Sequence, residues 1–187
     1  DRDKSWLSFN ERVMLEATKP YTPTIEKLRF LAIYSSNLDE FYRVRMAAFQ
    51  RAVADAKGKP EDVEEVKLLL EEIQEIINRQ QNQFGRIYRE QVLPELDEKG
   101  ISIWKDEELN SAQKAFLNRY FQTKVRGLIH FQKEKVFLEN RQLYLAVTVK
   151  SETEAPSIVY INIPSDSPRF ISYPSDSKKA FIYLDDL

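Results

Sequence analysis

The sequence predicts an α+β chain: an N-terminal antiparallel helical bundle with one long helix over residues 1–98, then one or more helices and a mostly antiparallel sheet over 99–187. Three observations carry that expectation. Through the first half, apolar residues recur every three or four positions, the spacing of one helix face. Pro94 and Gly100 interrupt that pattern and bracket a domain boundary. From Leu143 onward the apolar runs are short, rich in β-branched residues and broken by proline, serine and aspartate.

The elements come in order. In SWLSFNERVMLEA, Trp6, Phe9, Val13 and Ala17 stand at helical spacing, and Ser8 with Glu11 has the form of a capping box, so a helix is expected from about Leu7 to Ala17. Pro20 and Pro23 end it, and Thr22-Pro23 suits the N-cap and first position of a second helix. There Ile25, Leu28, Leu31 and Ala32 form the expected inward stripe, Glu26, Lys27 and Arg29 face outward, and the pattern stops near Tyr34. Ser35-Ser36-Asn37 reads as a turn, with Ser36 capping a third helix that opens on Asp39 and Glu40 and runs to about Ala54. Gly58, Lys59 and Pro60 break the chain before a fourth helix, Glu61 to Val92, with Val66, Leu69, Leu70, Ile73, Ile76, Ile77, Gln80, Phe84, Ile87 and Tyr88 on one side. At 1.5 Å per residue it is roughly 45 Å long, which suggests a partly protruding helix that meets another domain or subunit.

Beyond the boundary, Gly100 to Trp104 alternates like a strand, and Asp106 or Asn110 starts a helix with Leu109, Ala112, Phe116, Leu117, Tyr120 and Phe121 in period. Leu143–Val149 and Ser157–Ile163, separated by a short polar stretch, predict an antiparallel pair. Pro164 and Pro168 confine Arg169–Tyr173 to a short or edge strand, and Lys179–Leu184 is a last strand. That strand runs straight into Asp185-Asp186-Leu187 with nothing after it to cover it, so the chain is expected to be truncated at both ends.

Composition narrows the chemistry. With 187 residues and 42 % hydrophobic content the chain can bury a sizeable core. Its 28 basic and 30 acidic side chains leave a net charge of -2, which offers no general argument for nucleic acid, and none is expected as a partner. The absence of cysteine excludes disulfides and thiolate metal sites. A single histidine, His130, excludes histidine clusters and two-histidine mechanisms, and the four glycines form no phosphate-cradling loop. No apolar run is long enough to span a bilayer and the first residues lack a signal-peptide pattern, so the chain reads as soluble, and the absence of cysteine permits the cytoplasmic location expected of it.

The stretch Leu28–Arg45, LRFLAIYSSNLDEFYRVR, gathers polar groups at the expected corner. Asp39 and Glu40 are adjacent, point about 100° apart and suit a first helical turn better than an acid–base pair. Glu26 with Arg29 and Asp39 with Arg43 are spaced for local ion pairs, while Arg43 and Arg45 are two apart and do not share one face. Trp6, Phe9, Phe30, Phe41 and Tyr42 read as bundle core rather than as a stacking platform. Asn37 differs in kind: its amide is both donor and acceptor, suited to an adenine edge, though an asparagine in a turn needs no ligand.

These residues carry a resemblance. SWLSFNERV, Ser5–Val13, and Leu28–Arg45, in that order and separation, resemble the N-terminal signature of the bacterial polyphosphate kinase family, the histidine-phosphorylating type, and the neighbourhoods of Pro94, Leu143–Val147 and Ile161–Pro164 resemble the family's next region. The resemblance covers essentially the whole chain and implies a helical N-terminal domain over 1–98 and the N-terminal part of an α/β head domain over 99–187. It implies reversible transfer of the terminal phosphate of ATP to polyphosphate through a phosphohistidine, with Mg2+, in a homo-oligomer held through the head domain and able, as a complex, to sit peripherally on the membrane. The nucleophilic histidine and most of the phosphate- and metal-binding residues belong to two C-terminal domains outside this sequence, and His130 stands in no matching motif. Of the family's ATP-contacting positions one falls here, the asparagine before Leu-Asp-Glu-Phe, Asn37; no catalytic and no metal-binding residue is expected. The family has a Thr-Pro-rich stretch after the head-domain helix, where this chain departs with Val125–Phe131, VRGLIHF. The alternative reading is a non-catalytic helical interaction module.

Overall fold

Helix α1, Arg2–Leu15, continues as a 3-10 turn through Thr18 and buries Asp3, Leu7, Asn10, Met14 and Ala17. This stripe shares Ala17 with the expected one but otherwise lies one position on from Trp6, Phe9 and Val13, and Phe9 is 51 % exposed. Ser8 sits inside α1, so it is no N-cap. The computed structural model describes the chain apart from residues 1, 50, 52–59, 104–108, 133–136, 140–141, 151–155 and 176–177, with the backbone alone at 60–62. The predicted helix end near Ala54, the Gly58-Lys59 break, Trp104, Asp106 and most of the turn after Val149 lie outside the described residues.

Helix α2, Thr24–Phe41, corrects the largest sequence expectation. Ser35-Ser36-Asn37 is no corner: the helix passes straight through it, enters a π-turn at Tyr42–Met46 and is still helical at Ala47–Phe49. Serine and asparagine weaken a helix by at most about 0.7 kcal/mol each relative to alanine. An unbroken helix aligns Leu31, Tyr34, Leu38 and Phe41 on one buried stripe, each worth about 1.5–3 kcal/mol, so packing outweighs propensity. Ser36 therefore caps nothing. Thr22 is not the cap either, since the N-cap is Pro23, which makes no side-chain capping bond. Ile25 and Ala32 face outward and Lys27 inward, the reverse of the expected faces.

Helix α3, Pro60–Ile87, passes through a second π-turn, Tyr88–Val92, into α4, Leu93–Glu98. The widened turn just before Pro94 accommodates a residue that lacks an N–H and crowds the preceding turn, so the helical path outlasts its expected end. Ile73, Ile77, Gln80, Ile87, Val92 and Leu96 are its buried positions. The pairings Asn10–Asn37, Trp6–Phe41 and Asp3–Arg45 set α1 antiparallel to α2. Tyr34–Gln80, Tyr42–Gln74 and Lys27–Glu95 set α3 and α4 antiparallel to α2 as well. This bundle is one compact unit, Asp1–Glu98.

The second unit, Lys99–Leu187, turns at Gly100, whose φ of 80° suits only glycine without strain. Strand β1, Ile101–Ile103, pairs in parallel with β6, Lys179–Tyr183, and β6 pairs antiparallel with β5, Phe170–Tyr173. Helix α5, Ser111–Tyr120, starts at Asn110 in a full capping box with Gln113 and ends in a π-turn, Phe121–Val125. Its Leu117 packs with Leu109, Val125, Ile171, Ala180 and Ile182, whereas Ala112 and Phe116, expected in the same stripe, are exposed. Strand β6 is thus the covered middle strand of its sheet, contrary to the expectation of an uncovered one.

A second antiparallel sheet has β4, Ser157–Ile163, between β2, His130–Gln132, and β3, Leu143–Val149. The register pairs Leu143 with Ile163 and Val149 with Ser157, the hairpin-like pairing expected from sequence. Phe131, Leu143, Leu145, Val147 and Val149 remain 37 to 68 % exposed.

Candidate functional site

Asn37 occupies the outer edge of the α1–α2 seam, and what it touches is set by Asn10 opposite. Asn10 is fully buried and its Nδ2 donates to the Tyr34 carbonyl at 3.1 Å. That bond turns the Asn10 Oδ1 toward Asn37, whose Nδ2 donates to it at 3.0 Å. The chain of donors leaves Asn37 with one N–H and its carbonyl uncommitted among the described residues. A donor and an acceptor side by side on one amide are what an adenine edge requires, an amino group and a ring nitrogen. The mid-helix position departs from the expectation in one respect: no free backbone N–H groups of a helix start surround Asn37, so its side chain alone offers hydrogen-bonding groups there.

Behind this pair lies a polar ladder across α1, α2 and α3. Tyr34 Oη donates to Gln80 Oε1 at 3.4 Å, and Gln80 Nε2 donates to the Leu7 carbonyl at 3.1 Å. Gln80 and Asn10 are both fully buried, so the ladder holds the helices in one register at the level of Asn37. Burial first, then the Glu11 carboxylate and Tyr42, push the Tyr34 phenol up to about 12 from 10.0. Between those values the unfolded chain binds fewer protons than the folded one, so stability falls as pH rises from 10 toward 12. Tyr34→Phe is expected to remove one late tyrosine from an ultraviolet titration and to flatten that alkaline loss; an unchanged titration would place the late phenol elsewhere.

Each arginine of the Leu28–Arg45 stretch pairs with a carboxylate. Arg29 pairs with Glu26 at 2.6 Å and Arg43 with Asp39 at 3.3 Å, as the spacing predicts, and Arg43 also forks to Glu40 at 2.6 Å. Arg45 reaches across the seam to Asp3 at 2.6 Å, which local spacing cannot show. His130 stands exposed on β2 opposite Asn162, and its side chain forms no hydrogen bond among the described residues. Asn10 is the residue that sequence reasoning missed. Its signal was present, because Leu7, Asn10, Met14 and Ala17 are spaced at steps of three and four, a polar residue on an apolar stripe.

Comparison with known proteins adds independent findings. The family model described as the polyphosphate kinase N-terminal domain matches residues 1–104, and the one described as the polyphosphate kinase middle domain matches residues 112–187. Polyphosphate kinases of Halalkalibacterium halodurans and Escherichia coli are each 34 % identical to this chain over its full length. The chain spans 28 % of the length of these curated relatives. A crystal structure of polyphosphate kinase from Porphyromonas gingivalis superposes on 98 % of the chain with a TM-score of 0.83 and 34 % identity, and the match covers 28 % of that protein. No helix among the described residues is long and apolar enough to cross a membrane.

Proposed function

The chain belongs to the polyphosphate kinase family, and from that premise we propose that it forms the nucleotide-side lid and part of the oligomer contact of an enzyme that reversibly transfers the terminal phosphate of ATP to polyphosphate through a phosphohistidine. Residues 1–98 act as the helical N-terminal domain and 99–187 as the first part of the head domain. The phosphohistidine and the Mg2+ that neutralises the phosphates are supplied by domains outside this sequence. Asn37 is the nucleotide contact here. The single observation that supports it is the Asn10–Asn37 bond, which orients a half-buried amide and leaves it a donor and an acceptor for the base. The exposed apolar residues of β3, with Phe131 of β2, suit a homo-oligomer contact in the head region. The enzyme works in the cytoplasm, and as a complex it associates peripherally with the membrane.

Two measurements test this reading. In the complete enzyme, Asn37→Ala is expected to raise the KM for ATP about tenfold, the worth of a lost pair of base contacts at 1–2 kcal/mol, with little change in the melting of the isolated chain. An unchanged KM would refute the assignment. The 187-residue chain alone is expected to incorporate no label from γ-labelled ATP. Autophosphorylation of the chain would overturn its role as a non-catalytic part.

A further inference from the structure

The same seam holds a concave feature apart from Asn37. Between the first turn of α1 and the end of α2 lies a cavity of about 300 Å³ that Asn37 does not line. Its apolar wall is Trp6, stacked on Phe41 with ring centroids 5.1 Å apart and planes 22° apart, beside Val44. Arg2 and Arg45 stand at its rim.

Arg45 is fixed in an informative way. Its Nε donates to Asp3 Oδ1 at 2.6 Å, and the Asp3 side chain is only 12 % exposed. A guanidinium has two edges that grip an anion, one through Nε and one through its two Nη nitrogens. Asp3 occupies the first. The second edge has no partner among the described residues, and Arg2 forms no ion pair there either. Glu40, also on the rim, is held by Arg43 at 2.6 Å.

We propose that this cavity binds a small planar ring bearing one anionic group, a carboxylate or a phosphate, with the ring against Trp6 and the anion end-on to Arg45. An uncharged ring would leave the pre-oriented fork unused. An inorganic polyanion would gain nothing from the aromatic wall and would meet the carboxylates of Asp3 and Glu40. The volume, at the low end for ligand sites, admits a ring system of modest size.

The test monitors the Trp6 indole N–H cross-peak of the 187-residue chain while AMP, indole-3-acetate, adenosine and tripolyphosphate are added separately. Saturable shifts with AMP or indole-3-acetate, each at least about tenfold tighter than adenosine and tripolyphosphate, are expected from one charge-assisted bidentate contact. Whichever of the two binds more tightly identifies the source of the anion as nucleotide or aryl acid. Arg45→Lys keeps a charge for Asp3 but lacks the fork, so it should weaken binding about tenfold while the melting temperature holds. Asn37→Ala should leave these titrations unchanged, which separates this site from the proposed adenine contact. The proposal fails if no probe saturates at millimolar concentration, if tripolyphosphate or adenosine matches the ring anions, or if Arg45→Lys binds them undiminished.

Discussion

Replacing Glu95 with alanine is expected to destabilise the helical unit by about 3 kcal/mol, the low end for breaking a buried ion pair. Glu95, in α4, accepts from Lys27 Nζ and, at 2.8 Å, from the Thr24 hydroxyl. The Lys27 side chain is 7 % exposed and that of Glu95 32 %, so the substitution strands a buried ammonium while the acid itself loses little packing. The low end of the range applies because water already reaches the carboxylate. Glu95→Gln should lose roughly half as much, since the amide oxygen still accepts one of the two bonds. The pair Lys27→Met with Glu95→Leu should return to within about 1 kcal/mol of the parent, because neither charge is then left buried. Urea unfolding monitored by Trp6 fluorescence in a Trp104→Phe background isolates the helical unit. A loss below about 1 kcal/mol for Glu95→Ala would mean that Lys27 finds water in the folded state.

Asn10→Ala is expected to lower stability by about 2–3 kcal/mol, because it removes one buried and one partly buried hydrogen bond and leaves a small cavity. Its effect should extend to the site. Without Asn10, nothing assigns which face of the Asn37 amide turns outward, so in the complete enzyme the KM for ATP should rise nearly as far as in Asn37→Ala. The two changes remove one arrangement, so the double variant should show much less than the sum of the two effects on KM. Additive effects on KM would show that Asn37 is oriented by something other than Asn10.

The candidate site was half legible before the structure. Asn37 stands out as a bifunctional amide in a polar run, and the ion pairs of Arg29 and Arg43 arise from separations of three and four along one helix. Its partners Asn10, Gln80 and Tyr34 lie 24 to 46 residues from one another in their bonded pairs, and no local period reports such pairings. The same limit hid Arg45 and Asp3, 42 residues apart.

Periodicity in the chain was sufficient for the class of fold: the helical first half, the antiparallel β3–β4 pair and an edge position for β5 all derive from spacings of 3.6 and 2 and from proline's missing donor. It could not settle which of two neighbouring stripes faces inward, because Trp6, Phe9 and Val13 are as apolar as Leu7 and Met14 and only the partner helices distinguish them. Nor could it decide between a turn and a helix at Ser35-Ser36-Asn37. Local preference there amounts to at most about 2 kcal/mol in total, and the burial of Leu31, Tyr34, Leu38 and Phe41 on a single unbroken face exceeds it. That tertiary choice puts Asn37 in the middle of a rigid helix beside Asn10, where its amide is held in one orientation by a bond from across the seam.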